Sequence, residues 1–192
     1  MRKQLVIIIV AVLSVILLTG CMPEVTRLYR DGSAALQEGK FHEALSKWEE
    51  ELRLFKEQEN QQGVAEVIGN ISGVYSAIGQ YDKALSYLDE ALKTYRKMKE
   101  PFGMAFVLNN IGTVYFNTGQ YDKALTYFQE SLGLFKEITV SQMLRHPSIL
   151  PHTREIMQKY YERAIPNHTA GTLQNIGMVY LKLGDYDRAL AN

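Results

Sequence analysis

The segment GQYDKALSYLDEAL, starting at Gly79, returns as GQYDKALTYFQESL from Gly119, as GDYDRALAN from Gly184 and more loosely as GKFHEALSKWEEEL from Gly39. Gly39, Gly79 and Gly119 are 40 residues apart, whereas Gly119 and Gly184 are 65 apart, so about 25 extra residues interrupt the array. Self-similarity at such a period constrains the fold more than any local propensity. Each unit is too short to bury its own apolar face and must stack on its neighbours.

Each unit reads as two helices. After the glycine, Tyr81, Ala84, Leu85, Leu88, Ala91, Leu92 and Tyr95 follow the spacing of an amphipathic helix. The same places hold Tyr121, Ala124, Leu125, Phe128, Ser131, Leu132 and Phe135, and earlier Phe41, Ala44, Leu45, Trp48, Leu52 and Phe55. Before the glycine runs a second stripe, Ile68, Ile71, Ser72, Tyr75 and Ile78, repeated as Leu108, Ile111, Gly112, Tyr115 and as Leu173, Ile176, Gly177, Tyr180, Leu183. Gly79, Gly119 and Gly184 end these helices where a left-handed residue is wanted. Gly112, Gly177 and Ala84 are small, as a close helix crossing requires.

The small residue and tyrosine of the first helix, the glycine–x–aromatic turn and the small–aromatic–small series of the second resemble the tetratricopeptide repeat. Its usual period is about 34 residues. Units of 40 resemble the subgroup of kinesin light chains and many bacterial regulators. The resemblance covers Val25 to about Phe135 and again about His168 to Asn192. It implies an all-α fold: a right-handed solenoid of antiparallel helix pairs, with about seven or eight helices. The first repeat departs most, with Arg30 and Asp31 where later repeats have Asn-Ile. A solvent-facing terminal repeat tolerates this.

At about 100° per residue, Asn70 lies about 140° from the centre of its helix's apolar stripe. Asn110 and Asn175 hold the same register. Three asparagines exposed on helices are unfavourable by propensity alone. In tetratricopeptide families the first helices line the concave face, and asparagines here resemble a ladder that hydrogen-bonds an extended peptide. An amide suits this because it both donates and accepts. Phe106, Asn109, Phe116, Asn117, Met178 and Lys182 are expected around it. The alternative is that the asparagines bond to neighbouring repeats or to water. A carboxylate clamp of the chaperone-binding kind does not fit, because its lysine positions hold Glu66, Phe106 and Gly171.

The interruption contains Pro147, Pro151 and Pro166, which argue against one continuous helix. Thr153 to Ala164 is expected to form a short helix of its own within a projecting hairpin, with Ile156, Tyr160 and Tyr161 near one side. His146, His152 and Glu155 lack the tighter arrangement and further ligands of a zinc site. No nucleophile–base pair, carboxylate pair or phosphate-binding loop is present. The chain is therefore read as noncatalytic, without cofactor or metal. Nucleic acid is not an expected partner, since the formal net charge is zero and no basic stripe is seen.

At the N-terminus, Arg2 and Lys3 precede an apolar run from Leu5 to Leu18, followed by Thr19, Gly20 and Cys21, the single cysteine. Fourteen residues are too few to span a bilayer as a helix and fit a signal-peptide core. The Leu18–Cys21 segment resembles the bacterial lipoprotein signal. That resemblance implies cleavage before Cys21, a diacylglyceryl group on its thiol and usually acylation of the new N-terminus. Two or three acyl chains anchor stably where one does not. Met22, where an aspartate would resemble inner-membrane retention, points to an outer membrane facing the periplasm in a Gram-negative cell.

The organisation expected is a signal peptide over 1–20, a lipidated tether over 21–25, three repeats over 26–137, an insertion over 138–167 and an incomplete fourth repeat over 168–192. The function expected is a membrane-tethered scaffold of the bacterial cell envelope binding a peptide or protein. The alternative is the regulatory N-terminal region of a larger protein. Because the second helix of the last repeat is short, residues 185–192 are expected to fray.

Overall fold

The computed structural model describes residues 24–138 and 154–191. These residues form eight helices: α1 over 24–37, α2 Phe41–Glu57, α3 Gln61–Ala77, α4 Tyr81–Met98, α5 Pro101–Asn117, α6 Tyr121–Glu137, α7 Arg154–Leu183 and α8 Tyr186–Leu190. No strand occurs among the described residues, and the all-α reading of consecutive helix pairs holds. The leader, Cys21, and the part of the insertion with His146, Pro147, Pro151 and His152 lie outside them. The chain divides into two compact units, Met1–Val67 and Ile68–Asn192.

Each helix pair turns on a left-handed glycine. Gly39, Gly79, Gly119 and Gly184 have φ of 73°, 76°, 74° and 77°. At Gly79 the closing bonds run from its own N–H to the Ser76 carbonyl at 3.1 Å and from Gln80 N–H to Tyr75 at 2.8 Å. The pattern repeats at Gly119 and Gly184 and satisfies carbonyls that the helix end would otherwise leave open. The second turn of the repeat uses a capping side chain. Asn60 Oδ1 accepts from Gly63 N–H at 3.0 Å, and the Glu100 carboxylate accepts from Phe102 and Gly103 one period later.

In the first unit, Trp48 lies against Gly32, where an added Cβ would sit 2.5 Å from the indole nitrogen. Gly63 faces Phe55 in the same manner. In the second unit α4, α5, α6 and α7 pack in succession. Ala84 and Ala124 are fully buried, and a Cβ on Gly112 would come within 2.7 Å of Phe128. The small residues thus sit where helices cross closely, as their spacing suggested. Tyr75 stacks on Tyr87 at 5.5 Å with Lys83 over the ring, and Tyr115 stacks on Tyr127 at 5.3 Å beneath Lys123. Flat aromatic contacts with a capping cation fasten α3 to α4 and α5 to α6.

The expectation of a break at Pro166, with a separate short helix before it, is corrected. Helix α7 is continuous from Arg154 to Leu183 and contains Pro166. The reason is visible in the register. Pro166 stands 65 residues after Pro101, which occupies the first turn of α5, where a missing N–H is harmless. The capping position before it, Glu100 in α5, is Ile165 in α7, and Ile165 and Tyr161 pack against the cluster of Ala105, Phe135 and Ile138. Apolar docking replaces the cap, so the helix extends backward into the insertion.

Leu183, on the inward stripe, is 47% exposed, as the shortness of the second helix in the last repeat leads one to expect. Helix α8 has five residues and buries none of them, and Leu190 is 88% exposed. The cover that Leu125 receives one repeat earlier, within the cluster of Phe128, Ile176 and Val179, is not present here.

Candidate functional site: the face of the first helices

Asn70, Asn110 and Asn175 sit at one register on α3, α5 and α7 and are half-buried rather than fully exposed. For Asn175 a contact between helices contributes. Asn109 Oδ1 accepts from Asn175 Nδ2 at 3.2 Å and from the Thr172 hydroxyl at 3.2 Å. This holds the Asn175 amide in one orientation, leaving its carbonyl oxygen and one N–H. The position matching Asn109 on α3 is Gly69, which has no side chain to offer. Among the described residues the Asn70 and Asn110 amides have no hydrogen-bond partner.

Phe106 fills the place beside Gly69. Its ring lies 3.8 Å from where a Gly69 Cβ would be, and it meets the His168 ring edge to face at 5.5 Å. It remains 38% exposed. Asn117 and Lys182 are exposed at the C-terminal ends of α5 and α7, and Met178 is exposed beside them. Phe116 differs from its expected place. It is half-buried, 5.6 Å from the Tyr121 ring, and belongs to the contact between α5 and α6.

His168 was not singled out from sequence, yet it joins α5, α6 and α7. It stacks on Phe135 at 5.7 Å and meets Phe102 at 5.6 Å. Burial without a polar partner lowers its pKa from the ordinary 6.5. The signal lay in the register, since the matching positions are Gly63 and Gly103, each pressed against an aromatic ring of the preceding helix. Glu51 was also passed over. It stands where later repeats have Ala91 and Ser131, is 3% exposed, and has a carboxylate oxygen without a partner. Burial, and secondarily the charge of Glu66, raise its pKa to about 7. Among the described residues no group of three acidic, histidine or cysteine side chains could hold a metal.

Paired helices, glycine turns and a common register for three first helices define a helix-pair repeat protein. Family profiles described as Tetratricopeptide repeat match residues 28–97, 105–137 and 169–192. The chain is built of tetratricopeptide repeats. Among solved structures it is similar to a Rap protein complexed with Competence and Sporulation Factor, with TM-score 0.69 and 17% identity over 90% of this chain and 41% of that one. It also resembles the TPR-like repeats of a putative kinesin light chain from Podosopora anserina, with TM-score 0.55 and 12% identity over 87% and 90% of the two chains. The TPR2AB domain of yeast Sti1, in complex with pHSP90, gives 0.51 and 18% over 87% and 74%. The chain thus spans less than half of the Rap protein. No curated protein matches it significantly.

Proposed function

We propose that this chain is a noncatalytic scaffold whose first helices hold an extended peptide or protein segment, and that a lipid on Cys21 tethers it in the bacterial cell envelope. One observation carries the binding reading: Asn70 and Asn110 keep free amides at the register where Asn109 orients Asn175. Amides so placed can pair with backbone N–H and C=O groups of a segment of any sequence. Similar folds in Rap and Sti1 hold partners of their own, which supports the same use of the repeats here.

The test is direct. Partners cross-linked from membranes are identified and titrated against the wild-type chain and the Asn70→Ala, Asn110→Ala, Asn175→Ala triple variant. With helicity unchanged by circular dichroism, binding weakens by about 1–3 kcal/mol because ligand polar groups lose their partners. Unchanged affinity rejects the asparagine row. For the tether, mature protein beginning at Cys21 carries fatty-acid label, and Cys21→Ser abolishes it. An unlabelled protein retaining Met1 rejects that half of the reading.

A further inference from the structure

Resting on the groove reading above, we propose that the Phe106 ring, seated between Gly69 and His168, is the specificity element of the site and receives an uncharged, apolar side chain of the extended segment.

Two departures from the repeat pattern meet here. Position 106 is glutamate in the preceding repeat and glycine in the next; position 168 is glycine in both preceding repeats. Substituted together, they place two rings 5.5 Å apart on adjacent first helices. Phe106 meets His168 edge to face and its Cε1 lies 3.8 Å from where a Gly69 Cβ would be, yet 38% of the residue stays open. On α7 the residue in Phe106 register is Gly171, where an added Cβ meets nothing within 4 Å.

Charge decides which side chain fits. Gly69, Asn70, Asn110, Gly171 and Asn175 bring no charge to the notch, and His168 is held toward its neutral form by burial. A carboxylate would lose hydration with no cation to receive it. A cationic side chain would gain from the ring face, but Glu66, one turn before Asn70 on α3, already accepts from Gln62 Nε2 at 2.7 Å, and the cation would stand beside an imidazole. An apolar side chain loses no hydration and covers exposed ring surface. The backbone is then gripped by amides and one side chain is read by a ring, the division of labour expected of a mostly apolar pocket with a few placed polar groups.

Selection of a phage-displayed random heptapeptide library on the immobilised full chain reads this out. Wild-type protein should enrich peptides with an apolar residue at one fixed position and few charges. Phe106→Ala should bind the same peptides about tenfold more weakly, and selection on it should lose the preference, while Phe106→Leu restores it. Enrichment of lysine, arginine or acidic residues at that position overturns the proposal. So does an apolar preference that survives in folded Phe106→Ala, which leaves the asparagine row standing. Absence of any enrichment on wild type overturns both readings at once.

Discussion

The Asn175 amide donates to Asn109 Oδ1 at 3.2 Å, and this bond fixes which way one rung of the asparagine row faces. Its neighbour Asn110 has only Gly69 at the corresponding place and is not pinned. The row is therefore organised at its α7 end and adaptable toward α3.

Asn109→Ala removes the acceptor for both Asn175 and Thr172. The single Thr172 proton is shared with the nearer His168 carbonyl at 2.9 Å and passes wholly to it, so the net cost to folding is about 1 kcal/mol, that of the Asn175 bond. Urea denaturation measures it. Affinity for a groove ligand should fall although residue 109 need not touch it, because Asn175 must then be ordered on binding. A stability loss without any loss of affinity would confine Asn109 to a packing role.

Glu51 keeps its proton in the folded chain up to about pH 7, whereas an unfolded glutamate releases it near 4.5. The folded state binds more protons across that window, so stability falls as pH rises from about 4.5 to about 7 and is level above. Glu51→Gln should match wild type at the acid end and exceed it above neutrality. Trp48, the single tryptophan, lies one turn away in the same unit and reports unfolding by fluorescence. Parallel pH profiles for the two proteins would refute the assignment.

His168 responds in the opposite sense. Its folded pKa lies below 6.5, so the unfolded chain takes up the proton first as pH falls. Stability is whole above 6.5 and is lost as acidification passes downward through the folded pKa. His168→Phe keeps the stacking on Phe135 and should remove this acid sensitivity. Hydrogen exchange across 158–172, corrected for intrinsic rates, is the measurement, and equal acid loosening in both proteins would count against it.

Pro166→Ala restores an N–H within α7. A proline in a helix interior costs up to about 3 kcal/mol relative to alanine, but in a first turn almost nothing. Because α7 is continuous through this residue, the interior value applies, and exchange protection of residues 158–165 should rise markedly. No change would mean that the helix starts afresh at the repeat boundary in solution.

Much of this architecture is legible in the register alone. The glycine turns, the small Gly112 facing Phe128 and the alignment of Asn70 with Asn110 follow from the 40-residue period, and Gly184 and Asn175 from the same register after the 65-residue step. Glu51, aligned with Ala91 and Ser131, could have been read in the same way. Two features could not. The continuity of α7 depends on Ile165 finding the Phe135 cluster, a tertiary gain that overrides a local helix-breaking signal. That asparagines bond between repeats was one of the two readings open to the sequence, but no helix period says that Asn109 and Asn175, 66 residues apart, are the pair that does so.

Since Pro166 keeps the register of Pro101, the twelve residues from Arg154 to Ile165 stand outside the repeat count altogether. They form a strut about 18 Å long at 1.5 Å per residue, joined to the array at a proline. Lengthening or shortening it leaves every downstream position in phase with the repeats before it. Steps of three or four residues would also keep Tyr161 and its neighbours turned toward α5 and α6. The strut is thus a part whose size evolution or an engineer can adjust while the face of the first helices stays constant.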